Sequence, residues 1–173
     1  MKKTLNLFAS IGVAIGLLAG CSTVSSLTPA QIATVGVVIT QTADTGAVYA
    51  IQQDPRNAQY FVLADSTIDT FLLGNDLSAA SLQTALDKVA GTNQWVNLAV
   101  SGAVVAYDLA LSQYVNGQAT NNPAAVAWVS AVETGFKQAL ATTGTGLKAS
   151  APPYFVKNGK VNRAAIKAKL NKK

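Results

Sequence analysis

Paired carboxylates are the main acid–base equipment of this chain. Asp65 and Asp69 stand four residues apart in an apolar-periodic stretch, so on a helix they share a face. Two facing carboxyl groups are what glycan cleavage requires, one protonating the leaving oxygen and the other acting as base or nucleophile. Asp108 and Glu133 lie within still more apolar stretches, where burial raises a carboxyl pKa. Tyr49, Tyr107 and Tyr114 read as core or rim aromatics whose hydroxyls reach a partner. Against these stand large absences. The sequence has no histidine and a single cysteine, Cys21. That removes Ser-His and Cys-His nucleophile pairs and any zinc-type ligand set. No phosphate loop, dinucleotide fingerprint or EF-hand loop occurs. Like charges four apart on a helix edge are ordinarily solvated, and no aromatic-rich sugar groove accompanies them. The expectation is therefore a protein that is not an enzyme, with no catalytic or metal-binding residue and no cofactor.

Cys21 has a different chemistry in prospect. Met1-Lys2-Lys3 is followed by an apolar stretch from Leu5 to Leu18, interrupted by Asn6, Ser10, Gly12 and Gly16, and closed by Leu18-Ala19-Gly20-Cys21. The stretch is shorter than the roughly 18 residues of a membrane span and has the layout of a cleaved signal. With its cysteine, the segment resembles a bacterial lipoprotein signal peptide. The resemblance implies that residues 1–20 are removed, that Cys21 is lipidated on its sulfur and its freed amine, and that residues 21–28 form a lipidated linker. Two or more acyl chains hold a protein stably on a membrane. Ser22 after the cysteine implies the periplasmic face of the outer membrane.

The net charge of +5 is unevenly distributed. Between Ser22 and Leu147, three basic residues stand against eight acidic ones, a net charge of −5. From Lys148 onward there are eight basic residues and no acid. Charge blocks of this kind act as interaction arms. Lys157, Lys160, Arg163, Lys167, Lys169, Lys172 and Lys173 are the candidates for contact with an anionic surface, either peptidoglycan or anionic lipid. A secreted location argues against nucleic acid as a partner.

The elements that would carry these residues are helices. Thr28-Pro29 opens the first, with Ile32, Val35, Ile39, Ala43, Gly46 and Ala50 on one face. Asp54-Pro55 opens the next, where Phe61, Ala64, Ile68, Phe71 and Leu72 share a stripe. Ser78 caps a shorter helix that ends at Gly91, and Trp95 to Tyr114, apolar nearly all round, reads as the central one. Asn122-Pro123 starts the last, with Val129, Val132, Phe136 and Leu140 aligned. A faint repeat, Thr45–Ile51 against Ser101–Tyr107, suggests two related helical hairpins. Beyond Pro152-Pro153, Asn158-Gly159 signals a β-hairpin and Asn162 caps a short basic helix. The fold class expected is all-α: an antiparallel helical bundle of about five helices over residues 29–147, as two hairpins and a short helix. A small basic hairpin and helix over 148–173 forms an appendage.

The functional expectation is an outer-membrane-anchored periplasmic lipoprotein with a binding or structural role, held by its lipid and meeting an envelope protein partner. In helix content and anchor the chain resembles pilotins, the small carriers of secretion-system subunits, although their usual disulfide is impossible with one cysteine. A hydrophobic groove lined by Phe61, Phe71, Trp95, Trp128 or Phe136 would favour that carrier. A cleft with two facing carboxylates would favour a cell-wall hydrolase. A phage or prophage envelope lipoprotein is the remaining alternative.

Overall fold

The computed structural model describes residues 27–74 and 76–144, together with the backbone of 156–157 and 160–161. Five α-helices make up the body: α1 (Pro29–Gln53), α2 (Ala58–Phe71), α3 (Ala79–Ala90), α4 (Gln94–Val115) and α5 (Pro123–Thr142). A single 3₁₀ turn, Pro55–Asn57, precedes α2. The backbone of Val156–Lys157 (β1) pairs antiparallel with Lys160–Val161 (β2), with Val156 opposite Val161; Asn158 and Gly159, read as the turn, lie outside the described residues.

Local chemistry fixes where the helices start and stop. Thr28 Oγ1 accepts from Gln31 N–H at 3.3 Å while Gln31 Oε1 accepts from Thr28 N–H at 2.9 Å, a reciprocal capping box ahead of Pro29. Asp54 is extended, as a residue before proline tends to be, and ends α1. Ser78, Asn93 and Asn122 each accept a backbone N–H at the start of α3, α4 and α5. Gly91 at φ +59° closes α3, and Asn116 at φ +53° with Gly117 at φ +74° closes α4. Asn57 is buried and does two jobs: its amide donates to Ala50 O at 2.7 Å, and its carbonyl oxygen accepts from Asn93 Nδ2 at 2.7 Å. The cap of α4 is thereby held against the end of α1.

Around the bundle the helices lie in the order α1, α5, α2, α3, α4, with α4 returning to α1. Helices adjacent in sequence run antiparallel: Gly46 meets Ala99 and Tyr49 meets Trp95 across α1 and α4, so that pair is antiparallel too. The closing pair, α1 and α5, is parallel. Trp128 Nε1 donates to Ile32 O at 3.0 Å, Thr40 Oγ1 donates to Ala131 O at 3.1 Å, and Gly135 abuts Ala43 and Asp44. Residue numbers rise together along both helices. With five alternating helices, the first and fifth must point the same way.

The most extensive interface is α1 with α5, followed by α1 with α4. The expected central helix is thus corrected: α1 is the hub. Helix α4 is apolar nearly all round, yet Leu98 and Val105 are exposed on it. It is the one described helix long and apolar enough to cross a membrane by length and composition, and half of that stretch is buried inside the bundle. Nor do the two hairpins pack equivalently, since α3 touches both α2 and α4 and the latter pair lacks an interface matching α1 with α5.

Trp128, Tyr107, Phe61 and Phe136 fill the interior with no exposed surface. Between them, small residues let backbones approach. A Cβ at Gly135 would sit 2.4 Å from Thr40 O, 2.6 Å from Ala43 Cβ and 2.9 Å from Asp44 N. At Gly36 a Cβ would meet Ala131 Cβ at 3.8 Å and Trp128 Cδ1 at 3.9 Å, ordinary contact distances. Gly135→Ala should therefore force α1 from α5 and cost about 3 kcal/mol. Gly36→Ala relieves a mid-helix glycine and should add about 0.5–1 kcal/mol. Chemical denaturation of the two variants tests both signs; equal stabilities would remove Gly135 as the point of closest approach.

Candidate functional site

The carboxylates are not paired as the sequence suggests. Asp65 on α2 meets Glu133 on α5 rather than Asp69, and Lys137 lies between them. Lys137 Nζ is 3.1 Å from Asp65 Oδ1 and forms a closer charged hydrogen bond with Glu133 Oε1 one turn before it on α5. The Asp65 contact is ionic, its Oδ1 lacking an aligned hydrogen bond. Asp65 and Glu133 are largely buried, with side chains 27% and 12% exposed, whereas Lys137 is 54% exposed. The ammonium thus caps two carboxylates sunk between α2 and α5.

Burial pushes the Asp65 carboxyl up to about 6, opposed by the Lys137 ammonium and reinforced by Glu133. Lys137 is held above its ordinary value, first by its bond to Glu133 and then by Asp65. The cluster leaves a net charge of −1 when fully ionised. Lys137 bridges the two acids, and the arrangement ties α2 to α5. Asp108 is exposed rather than buried in its apolar helix, and Asp69 is exposed on α2. Asp44, on α1 beside Gly135, is raised by burial, a carboxylate the sequence reading did not single out. Asp54 is lowered by its hydrogen bond with Arg56, and Asp76 by its bond from Ser81.

The tyrosines divide. Tyr107 is fully buried and donates to Leu77 O at 2.5 Å, the core role expected for it, and burial holds its hydroxyl above the ordinary value. Tyr49 packs edge-on against Trp95, ring centroids 5.7 Å apart. Tyr114 lies 6.2 Å from Trp128, and its buried hydroxyl finds no hydrogen-bond partner among the described residues, a departure from the expectation. The aromatics proposed as a groove are consumed by packing: Phe61, Trp128 and Phe136 have no exposure, and Phe71 and Trp95 are partly buried against the core. Phe61 and Phe136 contact each other at 5.2 Å between centroids.

Among the described residues there is no group of three or more His, Cys, Asp or Glu able to hold a metal ion. Cys21, Arg163, Lys167, Lys169, Lys172 and Lys173 lie outside the described residues, as do the side chains of Lys157 and Lys160. The missed residue is Lys137. Its i,i+4 spacing from Glu133 is legible in the sequence, but the contact with Asp65 crosses between helices 72 positions apart.

The raised Asp65 carboxyl has a defined pH signature. The folded protein holds this proton up to about pH 6, whereas the unfolded chain releases it near pH 4. The stability it contributes is present below about pH 4, declines between about pH 4 and 6, and is gone above. Asp65→Asn mimics the protonated form. It should match the parent near pH 4 and exceed it at pH 7 by about 1 kcal/mol once solvent screening is allowed for. Paired melts across this range test the sign; lower stability of the variant at pH 7 would mean that the Lys137 contact outweighs burial.

No family model, curated protein or solved structure matches this chain.

Proposed function

We propose that this protein is a lipid-anchored, non-enzymatic envelope protein, held by Cys21 on the periplasmic face of the outer membrane. The helical body serves as a binding or structural unit, and the basic segment from Lys148 onward is a second, electrostatic contact. The observation that carries the reading is the Leu18-Ala19-Gly20-Cys21 signal. The use made of the acidic residues supports it: Asp65 and Glu133 are tied to Lys137 in a link between two helices. Phe61, Trp128 and Phe136 are spent on the core, so a carrier groove would have to be built on Phe71 and Trp95.

Replacing Cys21 with Ala should abolish acyl labelling and move the protein out of the membrane fraction. Labelling that persists in the variant would defeat the anchor. For the basic segment, each cationic side chain near an anionic surface contributes about 1 kcal/mol, weakening within a Debye length. Protein starting at Ser22 should bind sacculi or anionic vesicles at low ionic strength and release near physiological salt. It should lose most of that binding when truncated after Ser150. Salt-insensitive binding, or binding retained by the truncated form, would move the contact to the helical body.

A further inference from the structure

We infer that two copies of this chain pair through the outward face that α1 and α4 form together. The inference is independent of how Cys21 is modified. It starts from where charge is missing. Helices α1 and α4 are the two longest, with 25 and 22 residues, and each carries a single charged residue, Asp44 and Asp108. Helices α2, α3 and α5 are shorter and carry two each. Neither Asp44 nor Asp108 lies on the shared face. Asp44 is at the α5 border of α1, beside Gly135. Asp108 is at the α3 border of α4, two turns on from Ser101, whose hydroxyl oxygen accepts from Gln83 Nε2 of α3 at 3.4 Å. Between these borders α4 presents Leu98, Gly102, Val105 and Leu109, and α1 presents Val38, Gln41, Thr45 and Val48, none of them fully buried. Both sets follow the alternating three- and four-residue spacing of a helix seam. Val105 is 56% exposed and Leu98 38%.

The charge pattern also identifies the occupant. The chain from Ser22 to Leu147 has a net charge of −5, so two copies repel wherever their carboxylates come within a Debye length of each other. The α1–α4 face is where they can meet without that repulsion. A helix face that lies on lipid is rimmed by Lys or Arg, and neither α1 nor α4 contains one. A twofold axis sets this face against itself, the commonest way in which identical chains associate. The apolar seam of one copy then covers that of the other, with Gln41 and Thr45 as neutral hydrogen-bonding groups at the contact. The size is sufficient. With 22 residues, α4 is about 33 Å long, and two helices side by side are about 20 Å across. The face therefore measures about 650 Å² on each copy and about 1,300 Å² over the pair, within the range of stable specific interfaces.

The test sediments the full chain in density-matched detergent, with its native cysteine and as Cys21→Ala, which separates pairing through acyl chains or a disulfide from pairing through the face. Both forms should show twice the chain mass. Val105→Asp, at an exposed site, places like charges at the contact. It should raise the dissociation constant about a hundredfold or more and give a monomer with unchanged helical circular dichroism. Val126→Asp, on α5 and 42% exposed, should leave the dimer intact. A benzophenone side chain introduced at position 105 of the full chain should crosslink in intact cells to residues 98–109 or 38–48 of a second copy. Should Val105→Asp lose helicity, this crosslink decides. A monomeric parent, a dimer that requires Cys21, or a dimer indifferent to Val105→Asp would overturn the pairing. So would a crosslink from position 105 to lipid or to a different protein, which would assign the face another occupant.

Discussion

The whole arrangement hangs on how closely the backbones of α1 and α5 approach at Gly135. The space its missing side chain leaves is taken up by Thr40 O, Ala43 Cβ and Asp44 N. Once the helices touch there, Trp128 lies under α1 with its indole N–H on Ile32 O, and Thr40 reaches Ala131 O. These two side-chain bonds satisfy polar groups that burial would otherwise penalise by about 1–3 kcal/mol each. The remaining helices are then positioned against this pair: α4 against α1 through Gly46 and Ala99, α2 against α5 through Phe61 and Phe136, and α3 across the gap between α2 and α4. A close-packed interior of this kind tolerates little change in volume, which is why so many of its contacts are made by alanine and glycine.

Polar groups inside the bundle serve position more than reactivity. Asn57 joins the end of α1 to the cap of α4, Tyr107 fastens the loop before α3 to α4, and Lys137 joins α2 to α5. Each link lies between elements whose apolar faces already meet, so it selects register where burial alone would allow sliding. A buried ion pair often adds little net stability because desolvation offsets attraction. The raised carboxyl of Asp65 is the visible sign of that offset here.

Helix boundaries were legible because they are written in local chemistry: Thr28-Pro29, Ser78, Gly91 and Asn122-Pro123 act through their own backbone neighbours. The apolar stripes were legible too, and Val35, Ile39, Ala43 and Ala50 on α1, with Val129, Val132, Phe136 and Leu140 on α5, are all buried. Periodicity names the face of a helix but not its partner. The hub was therefore misread: α4 has the more apolar composition, whereas α1 has small residues where two other helices must come close. Phe61 and Phe136 were equally ambiguous, since an aromatic stripe serves a groove or a core depending on what packs against it. The Asp65–Lys137 contact had no local signal, because its two members meet only after α2 and α5 have found each other.

The parallel closure also governs the order in which the molecule can be finished. Hairpin partners such as α3 and α4 are separated by a few residues, and their loops close at small entropic cost. The main interface of α1 joins residues more than ninety positions apart, such as Ile32 and Trp128, so its loop-closure entropy must be met before its contacts repay it. A chain delivered from its amino end presents α1 first and α5 last. The first helix to emerge is then the last to be covered, keeping an apolar face open until nearly the whole body has arrived. Completion becomes a single late event, and a chain interrupted before α5 is left with its hub exposed.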